Sequence, residues 1–329
     1  MAKRRVARPV DVHYKGIETR HRTRCRNMTE TTTKSDIKAF WGSLYRSLYD
    51  QVDGRLDRDG LLQALDDLED MFRLRRHLPA VEMPLRELVG KRVLEIGPGA
   101  GGHSALFARY GAVVTAMDIT GERVRATDAK FRLLGELALG CNALQGDSEH
   151  LPFGDGSFDI VYSNGVLHHT MNTEAAIAEV HRVLNPGGCA VIMLYCKSSW
   201  HYWINMWLCV GVLQGKAFGD PNWLGKATEW GGRDRQMVRN PITRCYTVAG
   251  IRRLFAKFES LTMRKGEFYF YLIPKLGRLY RRWQISRYGT HPGGLLVYGE
   301  PWPITSPLEN GLGRLMGFAW FIRAFKPKV

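Results

Sequence analysis

The stretch on which the fold turns is Arg92-Val93-Leu94-Glu95-Ile96-Gly97-Pro98-Gly99-Ala100-Gly101-Gly102. Its first five residues read as a short apolar strand, and the glycines that follow read as a tight turn into a helix over Ser104–Tyr110. Glycine lets the backbone approach a ligand closely, and a helix that starts there presents N–H groups to an anionic group. Gly97, Gly99 and Gly102 fit G-x-G-x-x-G, a spacing that on its own suits a dinucleotide, another nucleoside ligand or a bare turn.

The alternation continues outward from this loop. Val113–Met117 predicts a second strand ending at Asp118, and Thr120 predicts the cap of a helix reaching Leu134. Asn142–Gln145 and Phe158–Ser163 predict a third and a fourth strand. Thr173–Leu184 reads as a helix with Ala176, Ile177, Val180, Val183 and Leu184 on one face. Asn185-Pro186-Gly187-Gly188 stops it before a fifth strand, Cys189–Tyr195. Strands alternating with helices mean a parallel sheet with right-handed crossovers, and ligands of such sheets bind at the C-terminal strand ends. Thr247 predicts the cap of a later helix carrying Ile251, Leu254, Phe255 and Phe258. Glu259–Arg264 and Phe318–Phe325 predict two closing strands. Before the core, residues 36–90 read as helical. Asp36 is the expected cap for Ile37, Phe40, Trp41, Leu44 and Leu48, and a second segment runs from Asp59 to Leu78. These helices either pack on the core or cover a site.

Two carboxylates stand at the predicted strand ends. Asp118 follows the second strand, where it can accept hydrogen bonds from both hydroxyls of a ribose. Asp147 follows the third, in Gly146-Asp147-Ser148-Glu149-His150-Leu151-Pro152-Phe153, ahead of a Gly154-Asp155-Gly156 turn and Phe158-Asp159-Ile160-Val161-Tyr162-Ser163. Taken in order, EIGPGAG, Asp118, GDSEHLPFGDGSFDIVYSNGVLHH and EVHRVLNPGG resemble the class I S-adenosylmethionine-dependent methyltransferases. The likeness is greatest to the methyltransferase type 11 branch that includes the ubiquinone/menaquinone-type enzymes, and it covers roughly residues 90–196. It implies an α/β, Rossmann-like sheet of seven strands with a reversed last hairpin, and S-adenosylmethionine as cofactor.

The resemblance also implies roles. Glu95 and the backbone of Gly97, Gly99 and Gly101 would face the methionine part of the cofactor. Asp118 would hold the ribose and Ile119 would pack on the adenine. Asp147, with Ser148 beside it, would accept from the adenine amino group, and the backbone carbonyl of Asn164 would meet the methionine amino group. Asp159 reads as structural. His168 and His169 fall where the family places residues near the transferred methyl, so one of them is a candidate base or orients the acceptor; Tyr195 and His201 are weaker candidates. No carboxylate pair accompanies these histidines, so a metal is not expected. A nicotinamide oxidoreductase fits the glycine loop and Asp118 equally well, but Asp147 to Gly188 speaks against it; a non-catalytic, membrane-associated binding protein of the same fold is the other alternative, and the intact glycine loop and Asp118 speak against that.

Charge separates the chain into parts. The 329 residues carry a formal net charge of +15. Residues 1–35 hold 10 Lys/Arg against 3 Asp/Glu, residues 36–196 hold 16 against 22, and residues 197–329 hold 21 against 7. The expected organisation is a basic tail (1–35), a helical N-terminal cap (36–90), a cofactor-binding core (91–196), and acceptor-lid insertions with the last helix and strands (197–329). Of 36 aromatic residues, 23 lie in the last part, with Arg278, Arg281, Arg282 and Arg287 interleaved among them. Such a mixture suits an anionic membrane surface, an anionic or lipid-like acceptor, or RNA. RNA is the least expected, because no separate RNA-binding module is recognisable. Trp200, Trp203, Ile204 and Trp207 are expected to share a helix face as a hydrophobic cover. Six cysteines without CxxC spacing exclude a disulfide scaffold and a zinc finger, and with no apolar signal segment a cytoplasmic protein is expected.

Overall fold

The computed structural model describes residues 32–48, 56–219, 222–228, 230–231, 238–273 and 276–328. Seven strands share one sheet: β1 (Arg92–Ile96), β2 (Val113–Asp118), β3 (Asn142–Gln145), β4 (Phe158–Asn164), β5 (Leu184–Tyr195), β6 (Ser260–Gly266) and β7 (Ala319–Phe325). Their order is β3-β2-β1-β4-β5-β7-β6. The first five are parallel, with Ile96 beside Met117 and Asp118 beside Gln145. β7 runs antiparallel to both β5 and β6, so the last hairpin is reversed as expected of a class I methyltransferase sheet.

Both faces are covered, which is why the central strands are nearly continuous apolar runs. On one face, α2 (Arg58–Arg75) and α3 (Gly102–Arg109) pack Leu65, Leu68, Phe72 and Phe107 against Val93, Tyr162 and Phe321. On the other, α5 (Thr173–Val183) and α6 (Val248–Leu254) pack Ile177, Val180 and Ile251 against Leu94, Val161 and Ile192. The second crossover runs through α4 (Gly121–Leu134). Asn172 and Thr247 cap α5 and α6 by accepting from the backbone N–H groups of Ala175 and Gly250. Asp159 is structural: it accepts from the Arg92 backbone N–H at 2.9 Å and from Asn185 Nδ2 at 2.6 Å. The Asn185–Gly188 turn loops out between Leu184, paired with Phe158, and Cys189, paired with Ile160.

Three expectations shift. The N-terminal helix α1 spans Lys34–Leu48, so it begins inside the stretch assigned to the basic tail; residues 1–31 lie outside the described residues. Its cap is Thr33 rather than Asp36. The Asp36 backbone N–H faces the Thr33 hydroxyl at 3.3 Å, and Asp36 Oδ2 accepts from the Thr33 N–H and hydroxyl at 2.7 Å each, a reciprocal box. The tryptophan-rich segment forms a π-helix, His201–Val212. Its wider turn buries Tyr202, Met206 and Gly211, while Trp203 and Trp207 pack on each other at the surface, so these two tryptophans of the expected face are turned to solvent.

The remaining insertion is tied to the body by polar contacts. Arg75 at the end of α2 donates to Tyr298 at 2.7 Å and to Tyr269. α7 (Gly277–Tyr288) is held through Gln284, which donates to Glu309 Oε2 of α8 (Pro307–Met316) at 2.8 Å. Among the described residues, no helix is long and apolar enough to cross a membrane.

Candidate functional site

The parallel strands bring their C-terminal ends together along one edge, and the sequence-predicted residues gather there. Ser163 of β4 donates to the Ile96 carbonyl at 3.0 Å, locking the β4 end beside the glycine loop. Within that loop, Gly97, Gly99 and Gly101 all adopt positive φ. A Cβ on Gly97 would fall 2.3 Å from Val166 Cγ2, and one on Gly101 would fall 2.7 Å from the Thr127 Cα. Glycine is therefore required both by conformation and by space. The amides of Gly97 and Gly101 donate within the fold, to the Met117 and Pro98 carbonyls at 2.8 Å each. The first of these N–H groups is thus spent on β2 and the second on the loop itself, and neither is presented to an anionic group.

Asp118 closes β2 and is 5% exposed. Its Oδ1 accepts from the Thr120 N–H at 2.8 Å and the Thr120 hydroxyl at 2.9 Å, which fixes the carboxylate without using Oδ2 in those bonds. Burial pushes its pKa up, against the pull of the Arg123 guanidinium. Ile119, next in chain, is half-buried, and its carbonyl accepts from Gln145 Nε2 at 2.9 Å. Glu95 lies inside, 1% exposed, and accepts from the Ser104 hydroxyl. Burial raises its pKa to about 8, so the carboxyl is largely protonated at neutral pH. His103 stands 3.9 Å from Glu95 and shares a 3.0 Å hydrogen bond with the Tyr162 hydroxyl; burial lowers its pKa to about 3.

Asp147 and its neighbours carry a contact the sequence did not reveal. Lys34 of α1 forms an ion pair with Asp147 and lies 3.1 Å from Glu149 Oε2. Asp147 Oδ1 also accepts from the Glu149 N–H at 2.9 Å, and Ser148 is buried beside it. Further along α1, Trp41 sits 5.1 Å from the Arg123 guanidinium and 5.1 Å from the His169 ring, and Tyr45 packs with Ala100 of the glycine loop and Ala126. Lys34, Trp41 and Arg123 are the residues sequence reasoning missed. Trp41 was legible only as an apolar helix position, and nothing local signals that α1 lands on the strand ends.

At the β4 end, the side-chain Oδ1 of Asn164 is buried without a hydrogen-bond donor among the described residues. His168 is completely buried, and neither ring nitrogen has a hydrogen-bond partner among the described residues. It lies 3.8 Å from the Tyr195 ring and 4.1 Å from His169, and burial holds its pKa well below 6.5, so the imidazole is neutral. His169 does different work: its Nδ1 lies 2.9 Å from the Ile242 carbonyl, 2.9 Å from Asn240 Nδ2 and 3.1 Å from Thr243 Oγ1. It anchors the 240–243 segment. Tyr195 continues through Phe318, at 4.2 Å, to His201 at the start of the π-helix, 4.7 Å further on. These rings make an aromatic wall leading away from His168.

Residues 94–192 match the family model described as a methyltransferase domain. An uncharacterized methyltransferase of Synechocystis sp. is 31% identical over 142 residues, 40% of this chain and 62% of that protein. The ubiquinone/menaquinone biosynthesis C-methyltransferase of Haemophilus ducreyi is 35% identical over 112 residues, 33% of this chain and 42% of that one. The phthiotriol/phenolphthiotriol dimycocerosates methyltransferase 1 of Mycobacterium ulcerans is 36% identical over 104 residues, 31% of this chain and 36% of that one. The chain thus spans less than two thirds of the length of each of these relatives.

Proposed function

We propose that this chain is an S-adenosylmethionine-dependent methyltransferase whose acceptor is a small or lipid-like, partly apolar molecule. The observation that carries the reading is the order of groups along the strand ends, inside a matched methyltransferase domain. The positive-φ glycine loop closes β1, the carboxylate of Asp118 closes β2, Asp147 follows β3, and Asn164 closes β4. The residues fit the cofactor by their own chemistry. Asp118 is fixed by Thr120 as an acceptor for a diol, and Asn164 Oδ1 is a buried acceptor in need of a donor such as an amino group.

S-adenosylmethionine would supply an electrophilic methyl on a sulfonium sulfur. The protein's part is alignment and exclusion of water. Asp118 and Asn164 would orient the two ends of the ligand, and Trp41 on α1 would shield the site from solvent. His168, unprotonated and with no hydrogen-bond partner at its ring nitrogens among the described residues, would offer its one lone-pair nitrogen to a proton of the acceptor, as a base weakened by burial. The aromatic wall of Tyr195, Phe318 and His201 favours an acceptor with apolar surface. Two of the relatives are named for ubiquinone/menaquinone biosynthesis and for phthiotriol dimycocerosates, which agrees with an acceptor of that character.

The test is a thermal-shift comparison of S-adenosylmethionine, S-adenosylhomocysteine and NADH on the full chain. Methyl-labelled S-adenosylmethionine is then incubated with a metabolite extract and read by mass spectrometry. Stabilisation by both adenosyl ligands and label in an apolar product are expected. Stabilisation by NADH alone refutes the reading.

A further inference from the structure

We propose that the outer faces of α7 and the π-helix together form a surface that docks on an anionic lipid membrane. α7 is amphipathic in an unusual sense. Its inner side is held by Gln284, which donates to the Ile304 carbonyl at 3.0 Å and to Glu309. Its outer side presents Leu276, Leu279 and Trp283, a 3–4 spacing that places them within about 60° of one another on a helix. Leu279 is 64% and Trp283 is 51% exposed. At about 100° per residue, Arg282 and Arg287 fall on either side of this stripe. The helix carries four arginines and no acidic residue.

The π-helix adds a second apolar element. Trp203 is 48% and Trp207 41% exposed, and the two rings pack edge to face at 5.6 Å. Its twelve residues include no Lys, Arg, Asp or Glu. Both helices are moored to the same Phe268–Leu272 segment: Asn205 donates to the Leu272 carbonyl, and Phe270 packs on Tyr280 of α7 at 5.1 Å. Large apolar side chains gathered in water mark an interaction surface, whereas single ones do not. A bilayer interface is the partner here. Tryptophan is favoured at the headgroup level, aliphatic side chains enter the acyl boundary, and arginines at the rim meet anionic headgroups. The π-helix also begins at His201, the end of the aromatic wall that starts at His168. The docking surface would thus lie at the outer end of that wall, where a lipid-like acceptor would arrive. That last point rests on the methyltransferase reading, whereas the docking surface does not.

The experiment is sedimentation of the full chain, without cofactor, on phosphatidylcholine vesicles and on phosphatidylcholine/phosphatidylglycerol vesicles, at low and high salt. Tight binding to the anionic vesicles is expected, weakened by salt and weak on phosphatidylcholine alone. L279E/W283E and W203E/W207E should each lower partitioning about tenfold or more, because each places charge where apolar area inserts. L139E, at an exposed leucine before β3, should bind as the parent does. Far-UV circular dichroism melts separate misfolding from lost binding, and W203F/W207F should restore most of it. No sedimentation on anionic vesicles at low salt, or parent-like binding by both double variants, overturns the proposal. Binding of an RNA oligomer through the same residues without vesicle binding overturns it in favour of nucleic acid. Cofactor binding by a chain that ignores vesicles would leave the methyltransferase reading intact.

Discussion

Replacing Asp118 by asparagine isolates the role assigned to its charge. The native carboxylate is nearly buried and is fixed by the Thr120 N–H at 2.8 Å and hydroxyl at 2.9 Å, both on Oδ1. Asparagine keeps an oxygen for those two donors, so the fold should be little affected. It removes the charge that would accept from a ribose diol. A hydrogen bond to a charged group contributes about 1.5–3 kcal/mol and a neutral one about 1. Two such bonds weakened to neutral strength cost about 1–4 kcal/mol, or roughly 5- to 1,000-fold in affinity. Calorimetric titration with S-adenosylhomocysteine reads the loss, and a thermal melt of the free protein reads the fold. Asp118→Ala strips both Thr120 donors of their acceptor as well, and should cost a further 1–3 kcal/mol or so of stability. The two variants therefore separate ligand contact from scaffold. Parent-like affinity in D118N would refute the placement of the ribose at β2.

Four further outcomes follow from the same geometry. Gly97→Ala should destabilise the protein by at least ~2 kcal/mol in urea unfolding, since its Cβ would lie 2.3 Å from Val166 Cγ2 at φ +74; adding V166A should recover part of the loss but not the backbone strain. Glu95, raised from an ordinary carboxylate value to about 8, stabilises the fold fully below the unfolded value, and that contribution falls away as pH rises towards 8. Buried His103, lowered to about 3, works in the opposite sense on acidification, so the difference between parent and E95Q melts is the informative quantity; a difference that stays flat from about pH 4.5 to 8 would show that Glu95 is not protonated in the fold. Lys34→Ala removes an ion pair that is partly exposed and so should cost under about 1 kcal/mol of stability. It should also speed S-adenosylhomocysteine association in stopped-flow fluorescence, because it frees Asp147 and loosens α1; an unchanged or slower rate counts against α1 as a cover. His168→Asn should reduce kcat with cofactor affinity unchanged, and parent-like turnover would remove His168 from the chemistry.

Much of this was readable along the chain because it is local. A short apolar run followed by glycines specifies a strand and a tight turn, and the reason only glycine fits at Gly97 and Gly101 is a backbone conformation plus one close neighbour. The strand ends at Asp118 and Gln145 came out as expected, since period and turn residues set them. The helix over Trp200–Leu208 did not. Helical spacing assumes 3.6 residues per turn, and the π-helix instead buries Tyr202 and Met206 and turns the tryptophans outward.

By itself, then, the sequence determined the α/β alternation, the glycine loop and the carboxylates at the strand ends, because each depends on residues adjacent in the chain. Only the tertiary structure decided what those groups meet. Lys34 reaches Asp147 across 113 positions, and His169 is claimed by the 240–243 segment. Burial between helix and sheet is what pushes the Glu95 pKa up. The positive charge of residues 197–329 likewise has a place in the fold. Four arginines lie along α7, beside aromatic rings that the fold leaves in water. Long-range packing sets dielectric, partner and exposure, and none of these is a property of a residue's neighbours in sequence.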